Sequence, residues 1–176
     1  MKVLRAAQFI GQDRGAVAVE FALVVPVMLM LLFCGFEASR MASAYMRLND
    51  SAQMLADLVS RQQSVTSKQI DDFCNGVERV MTPFLTVGYS ATVASVTRFT
   101  SGVVVDWQDT SCGSGQTMAS AATLVSSYIP NINDSVIVVQ ATYGYHPVVN
   151  TVITPSMPMI RIGLARPRGG TPVKHS

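Results

Sequence analysis

The chain has 176 residues, a formal net charge of +2, 14% charged residues and a mean hydropathy of +0.32. Disorder as the dominant state is excluded, because it requires low hydrophobicity and high charge. So small a basic excess offers no surface for displacing counterions from phosphates, which argues against a nucleic acid partner. Cys34, Cys74 and Cys112 form no C-x-x-C pair, and with only two histidines they exclude zinc sites of the usual spacing.

Residues 1–15 form a short leader with Lys2, Arg5 and Arg14 against Asp13. From Ala16 to Phe36, 21 residues hold a single charge, Glu20. Roughly 20 apolar residues span a bilayer as a helix, and a secretory h-region is shorter, about 7–15 residues. Residues 16–36 therefore read as a transmembrane helix, in which Pro26 is tolerated. Beyond it Glu37 and Arg40 cancel. The basic end is expected to stay in the cytoplasm and the chain from residue 37 onward to cross.

Helical patterning continues over 37–63. Met41, Ala44, Tyr45, Leu48, Ala52, Leu55 and Val59 recur at spacings of three and four, with charged and polar residues between them. No Pro or Gly falls between Phe36 and Gln63. Span and stripe are thus predicted to form one helix, about 69 Å long from Ala16 to Arg61.

The segment Ser64-Val65-Thr66-Ser67 breaks the pattern, and Thr66 or Ser67 can cap a second helix. Ile70, Phe73, Cys74, Val77 and Met81 share one face of it, and Pro83 closes it. The period then changes. Tyr89–Phe99 and Val103–Trp107 predict a hairpin across Thr100-Ser101-Gly102, followed by a polar loop over Asp109–Gly115. A short helix is expected over Met118–Tyr128, then strands over Ser135–Tyr145 and Met159–Ala165. The order predicts an α+β fold: a long N-terminal helix followed by a small domain, 64–165, on a mainly antiparallel sheet. Residues 166–176 read as a basic, flexible tail. The cations from Arg161 onward face no acid in sequence, so docking on a neighbour's acidic domain is the alternative.

Glu20 is the unusual residue. A carboxylate in hydrocarbon is costly and ordinarily pairs with something or lines a pathway; the alternative is that it reaches headgroup water near the cytoplasmic interface. Its surroundings are Arg14-Gly15, four small or apolar residues, then Glu20-Phe21 and the apolar run. This pattern resembles the type IVb prepilin processing site. More specifically, Arg14 to Arg40 is similar to TadE-like pseudopilins of the Tad (Flp) pilus system, with a weaker echo in Val138–Pro147. The resemblance implies a pilin-like fold and cleavage by a prepilin peptidase between Gly15 and Ala16. Glu20, beside Phe21, would then sit fifth in the mature chain, where it can pair with a neighbouring subunit's new amine. It further implies an inner-membrane protein with its C-terminal domain in the periplasm. The implied partners are other pilins and pseudopilins and the Tad assembly platform. The role is assembly of the pilus for adhesion and surface colonisation. Phe21 replaces the Tyr of the major pilins, and the length exceeds theirs; the related TadF and TadG share this N-terminus.

Outside the cytoplasm disulfides persist, and Cys74 and Cys112 are the one extracytoplasmic pair; two small buried thiols are the alternative. Cys34 falls within the span. His146 and His175 have no nearby carboxylate in sequence, and no G-x-S-x-G, H-E-x-x-H, phosphate loop or dinucleotide fingerprint occurs. No enzyme, cofactor, metal or small-molecule substrate is expected. Two competing functions remain: an uncleaved, single-pass anchored periplasmic binding or sensor domain, and a secreted protein cut after Ala42-Ser43-Ala44.

Overall fold

The computed structural model of the chain describes residues 13–84, 87–148 and 156–176. Most of the leader, 1–12, lies outside the described residues. The elements in chain order are α1 (Asp13–Ser60), β1 (Ser64–Val65), α2 (Ser67–Val77), β2 (Ser90–Phe99), β3 (Gly102–Cys112), α3 (Ala121–Val125), β4 (Ser135–Tyr145), β5 (Met157–Ala165) and β6 (Lys174–His175). A 3-10 turn, Glu78–Met81, extends α2. The chain divides into two units, Met1–Arg40 and Met41–Ser176. In its described residues the first holds only α1 residues, with Pro26 inside the helix.

The second unit is α+β. Its sheet has the order β3-β2-β4-β5, antiparallel throughout. The central strands β2 and β4 are buried on both faces, as their β-branched and small residues allow. On one face the α1 stripe packs through Ala44, Leu48, Ala52, Leu55 and Val59, all fully buried, together with Ile70, Cys74 and Val77 of α2. They meet Ala91, Val93, Ile137, Val139 and Ala141 of the sheet. Leu48 and Leu55 each touch core on all sides, so truncation of either to Ala should cost about 2–5 kcal/mol. On the other face Met118, Ala121, Val125 and Ile129 cover Ala94, Val96, Val136 and Val138.

Thr66, not Ser67, caps α2. Its side chain accepts from the Gln69 amide, and the Gln69 side chain returns to the Thr66 backbone. That frees Ser67 for a contact described below. Tyr45 does not follow the stripe inward; it is 44% exposed, and the Arg161 guanidinium lies 3.3 Å from its ring centroid.

Three features differ from expectation. The polar run Asp109–Cys112 continues β3 and is not a loop, because β2 supplies a ladder for it with register shifts at Ala91/Val93 and Ser95/Val96. The helix expected over Met118–Tyr128 contracts to α3, flanked by turns in which the Ala121 amide donates to the Met118 carbonyl and the Tyr128 amide to the Val125 carbonyl. Ser120, Ser126 and Ser127 favour turns over helix interior there. Residues 166–176 are not a free flexible tail. Arg166 donates to the Tyr128 carbonyl at 2.7 Å, and the Arg168 amide donates to the Ser60 carbonyl at the end of α1. The Arg168 side chain reaches Asp57, and β6 pairs in parallel with β1. Arg166 and Arg168 are thus engaged by their own chain, and the Arg168 amide satisfies one of the orphan carbonyls at the end of α1.

Candidate functional site

Gly15 to Phe36 forms helix with almost no cover. Among the described residues thirteen large apolar side chains between Val17 and Phe36 are exposed, including Phe21 at 68% and Leu23 at 71%. They point in every direction around the helix, since only Val25 of this stretch is even half-buried. A contiguous apolar surface of this extent is not left to water. The helix is long and apolar enough to cross a membrane. Its backbone is satisfied internally, which is what hydrocarbon requires.

The residues singled out in sequence lie at the start of this helix. Gly15, Ala16, Glu20 and Phe21 are all exposed. A Cβ built on Gly15 meets nothing within 4 Å, so the fold itself makes no demand for glycine there. Glu20 lies one turn beyond Ala16 on the same helix face, about 6 Å along the axis. Among the described residues it has no hydrogen-bond or ion-pair partner. The structure therefore presents a glycine the fold does not need and a carboxylate the fold does not use. Both face outward from an apolar helix.

Cys74 of α2 and Cys112 at the end of β3 form a disulfide, with Cα atoms 5.7 Å apart. Cys34 is free and exposed.

One cluster escaped the sequence. The buried Asp109 carboxylate accepts from Ser67 Oγ at 2.6 Å, from the Ser111 amide at 2.8 Å and from the Ser111 hydroxyl. His175 Nε2 stands 2.9 Å from Asp109 Oδ2. Burial pushes this carboxyl up, but the donors from Ser111, Ser67 and His175 outweigh it and bring the pKa to about 2. Beside it Trp107 Nε1 donates to the Val173 carbonyl at 2.7 Å, and its ring lies 5.0 Å from that of His175. Serine, histidine and aspartate meet here, but not as a nucleophile relay. A relay uses one imidazole nitrogen toward serine and the other toward aspartate. Here Nε2 faces both, and Ser67 gives its proton directly to Asp109. The arrangement is a clasp that fastens β6 beside β1. No signal in sequence joins Asp109 to His175 across 66 residues. Among the described residues no group of His, Cys, Asp and Glu is arranged to hold a metal ion.

Residues 15–57 match the family model described as TadE-like protein. Along this helix the chain is thus similar to TadE-like proteins, which is consistent with an association with the Tad pilus system. No curated protein and no solved structure matches the chain.

Proposed function

We propose that this chain is a pseudopilin that a prepilin peptidase cuts between Gly15 and Ala16, and that it is required for assembly of a Tad (Flp) type IVb pilus. In this reading the helix anchors the protein in the bacterial inner membrane. The leader is cytoplasmic, and the disulfide-bonded domain is periplasmic. The chain acts with pilins, other pseudopilins and the Tad assembly platform, and it performs no catalysis.

The observation that carries the reading is the coincidence at Gly15. The TadE-like match begins at that residue, the apolar run of the sequence follows directly after it, and the fold has no use for a glycine at that position. A glycine without an intramolecular reason fits a peptidase subsite that admits only a small residue. Glu20 has the same character. A carboxylate left unpaired in an apolar helix invites a partner from another chain, and a desolvated opposite charge there fixes register.

N-terminal sequencing of the mature chain from membranes tests this. A start at Ala16 is expected. A start at Met1 overturns it in favour of an uncleaved anchored domain, and a start at Tyr45 in favour of a secreted protein.

A further inference from the structure

On the sheet face opposite α1, side-chain chemistry changes abruptly along the two central strands. Ala94, Val96, Val136 and Val138 are apolar and covered by the segment around α3. Toward the other end of the same face the register pairs Ser90 with Thr142 and Thr92 with Gln140. Four hydroxyl or amide side chains thus form a rectangle, about 4.8 Å across the strands and about 6.8 Å along them. The β3–α3 loop closes one side through Ser114, Gly115 and Gln116, and Ile160 of β5 stands on the other. Together they enclose a cavity of about 230 Å³.

Three properties of this cavity bear on what it holds. The first is the absence of charge, for none of its lining residues is Asp, Glu, Lys, Arg or His. An ionic ligand would lose hydration there with no counter-charge in return. The second is spare hydrogen-bonding capacity. Among the described residues the side chains of Ser90, Gln140 and Thr142 have no hydrogen-bond partner, although all three are half-buried. Hydroxyls and amides both donate and accept, so these groups match a ligand whose own groups do the same. The third is a single aliphatic wall, since Ile160 is 53% exposed.

The cavity is also built rigidly. Thr92 Oγ1 donates to the Gln116 carbonyl at 2.7 Å. A Cβ on Gly115 would stand 2.7 Å from the Ala91 carbonyl oxygen, and one on Gly113 would stand 2.8 Å from that of Tyr89. Gly113 also has φ +69°, where a side chain is strained. These two glycines let the loop lie directly on β2, and the Cys74–Cys112 disulfide fastens the strand residue from which it departs. Such a pre-formed wall lowers the ordering cost of binding.

We propose that this cavity is a binding site for one neutral sugar ring, with the Ser90, Thr92, Gln140 and Thr142 side chains toward its hydroxyls and Ile160 against its C–H face. The volume suits a single ring and no longer oligomer. The site is independent of the proposed cleavage and assembly, so its failure would leave those intact.

The test uses the full chain in lipid nanodiscs, free of sugar-headed detergent. Ligand-observed saturation-transfer NMR is run with the methyl glycosides of glucose, galactose and mannose and with N-acetylglucosamine. Glucose 6-phosphate serves as the charged control. At least one neutral probe should bind saturably, with a dissociation constant on the order of 1 mM, and the phosphate should bind more weakly. Thr142→Val with Gln140→Leu should weaken that binding by about tenfold or more. Ser90→Ala, which removes one oxygen, serves as a second variant with little risk to folding. Trp107 emission checks that each variant is folded. Saturation by none of the four probes, equal binding by the folded variants, or preference for the phosphate would each overturn the proposal.

Discussion

Gly163 of β5 lies against the backbone of Ala52 in α1: a Cβ at residue 163 would overlap the Ala52 carbonyl and stand 2.7 Å from the Gln53 amide nitrogen. The approach is this close because one partner has no side chain and the other only a methyl group. It also lets the next residues lock, since the Gln53 side-chain amide donates to the Leu164 carbonyl at 2.7 Å and accepts from its amide at 3.2 Å. Gln53 thereby occupies part of the free edge of β5, which would otherwise invite another strand. Gly163→Ala should destabilise the domain by about 1–3 kcal/mol through overpacking, and Gly163→Val by more. Urea midpoints followed by the emission of Trp107, the one tryptophan, measure this. Unchanged midpoints would mean that α1 does not rest on β5 so closely.

The Cys74–Cys112 bridge closes a loop with a sequence separation of 38. In the chain-entropy description a loop of that size stabilises by about 3–4 kcal/mol. Replacing both cysteines with alanine should lower the urea midpoint accordingly. Thiol labelling of the denatured, unreduced protein should find one reactive group per chain, Cys34. Three reactive groups would show that the bridge does not form in the protein as made.

Local pattern made part of the fold legible and distance hid the rest. The α1 stripe follows directly from spacings of three and four, and β4 from eleven residues rich in β-branched and aromatic side chains. The end of β3 was hidden because Asp109, Thr110 and Ser111 read as turn residues. They become strand only when β2 supplies a partner and Ser67 and His175 satisfy the carboxylate. The pairing of β6 with β1 involves two residues on each side and has no local signature. The site divides in the same way. Gly15, Ala16, Glu20 and Phe21 are neighbours in sequence and could be read as a motif. The polar cavity exists only through the register that sets Ser90 beside Thr142, which no local pattern encodes.

The clasp at Asp109 makes an acid-pH prediction. Its carboxyl lies at about 2 when folded, below the ordinary 3.8. A depressed pKa contributes stability that is full above the unfolded value and is lost as pH falls through the folded one. The loss should therefore run from about pH 4 to pH 2 and amount to on the order of 2 kcal/mol. Trp107, hydrogen-bonded to Val173 beside the cluster, reports the release of β6. Stability measured by its emission should fall over this window in the wild type and more gently in Asp109→Asn. The comparison isolates Asp109 from Asp57, whose carboxyl is also lowered, chiefly by Arg61. Identical acid limbs in the two proteins would remove Asp109 as the cause.

Gly15 separates processing from folding. Because a Cβ there meets nothing within 4 Å, Gly15→Leu should leave the helix and the folded domain unchanged. A leucine at the last leader position should nonetheless exclude the chain from a peptidase subsite shaped for glycine. Gly15→Leu should accumulate as a longer, membrane-bound form, with Trp107 emission and thiol count like those of the wild type. A variant that matures to the wild-type length would show that Gly15 is not part of a cleavage site.

Glu20 should be needed for association and not for insertion. One carboxylate near the start of a long apolar helix opposes insertion by at most about 2.5–3.5 kcal/mol on the insertion scale, which the remaining apolar residues outweigh. Glu20→Gln should therefore reach the membrane in normal amounts. It should also be cleaved, because the cut at Gly15–Ala16 lies more than a helical turn away. What the variant lacks is a negative charge for the amine created at Ala16 of an adjacent subunit. An ammonium left without that partner among apolar helices either remains charged at a cost of several kcal/mol or sheds its proton. Both outcomes weaken the docking of one subunit on the next. The side chain is exposed and has no partner among the described residues, so no loss of fold confuses the result. Membrane yield, mature length and pilus assembly should be compared between Glu20→Gln and wild type. The first two should be unchanged and the third lost. Normal assembly with Glu20→Gln would make the carboxylate an interfacial bystander that reaches headgroup water, and its proposed pairing across subunits would have to be abandoned.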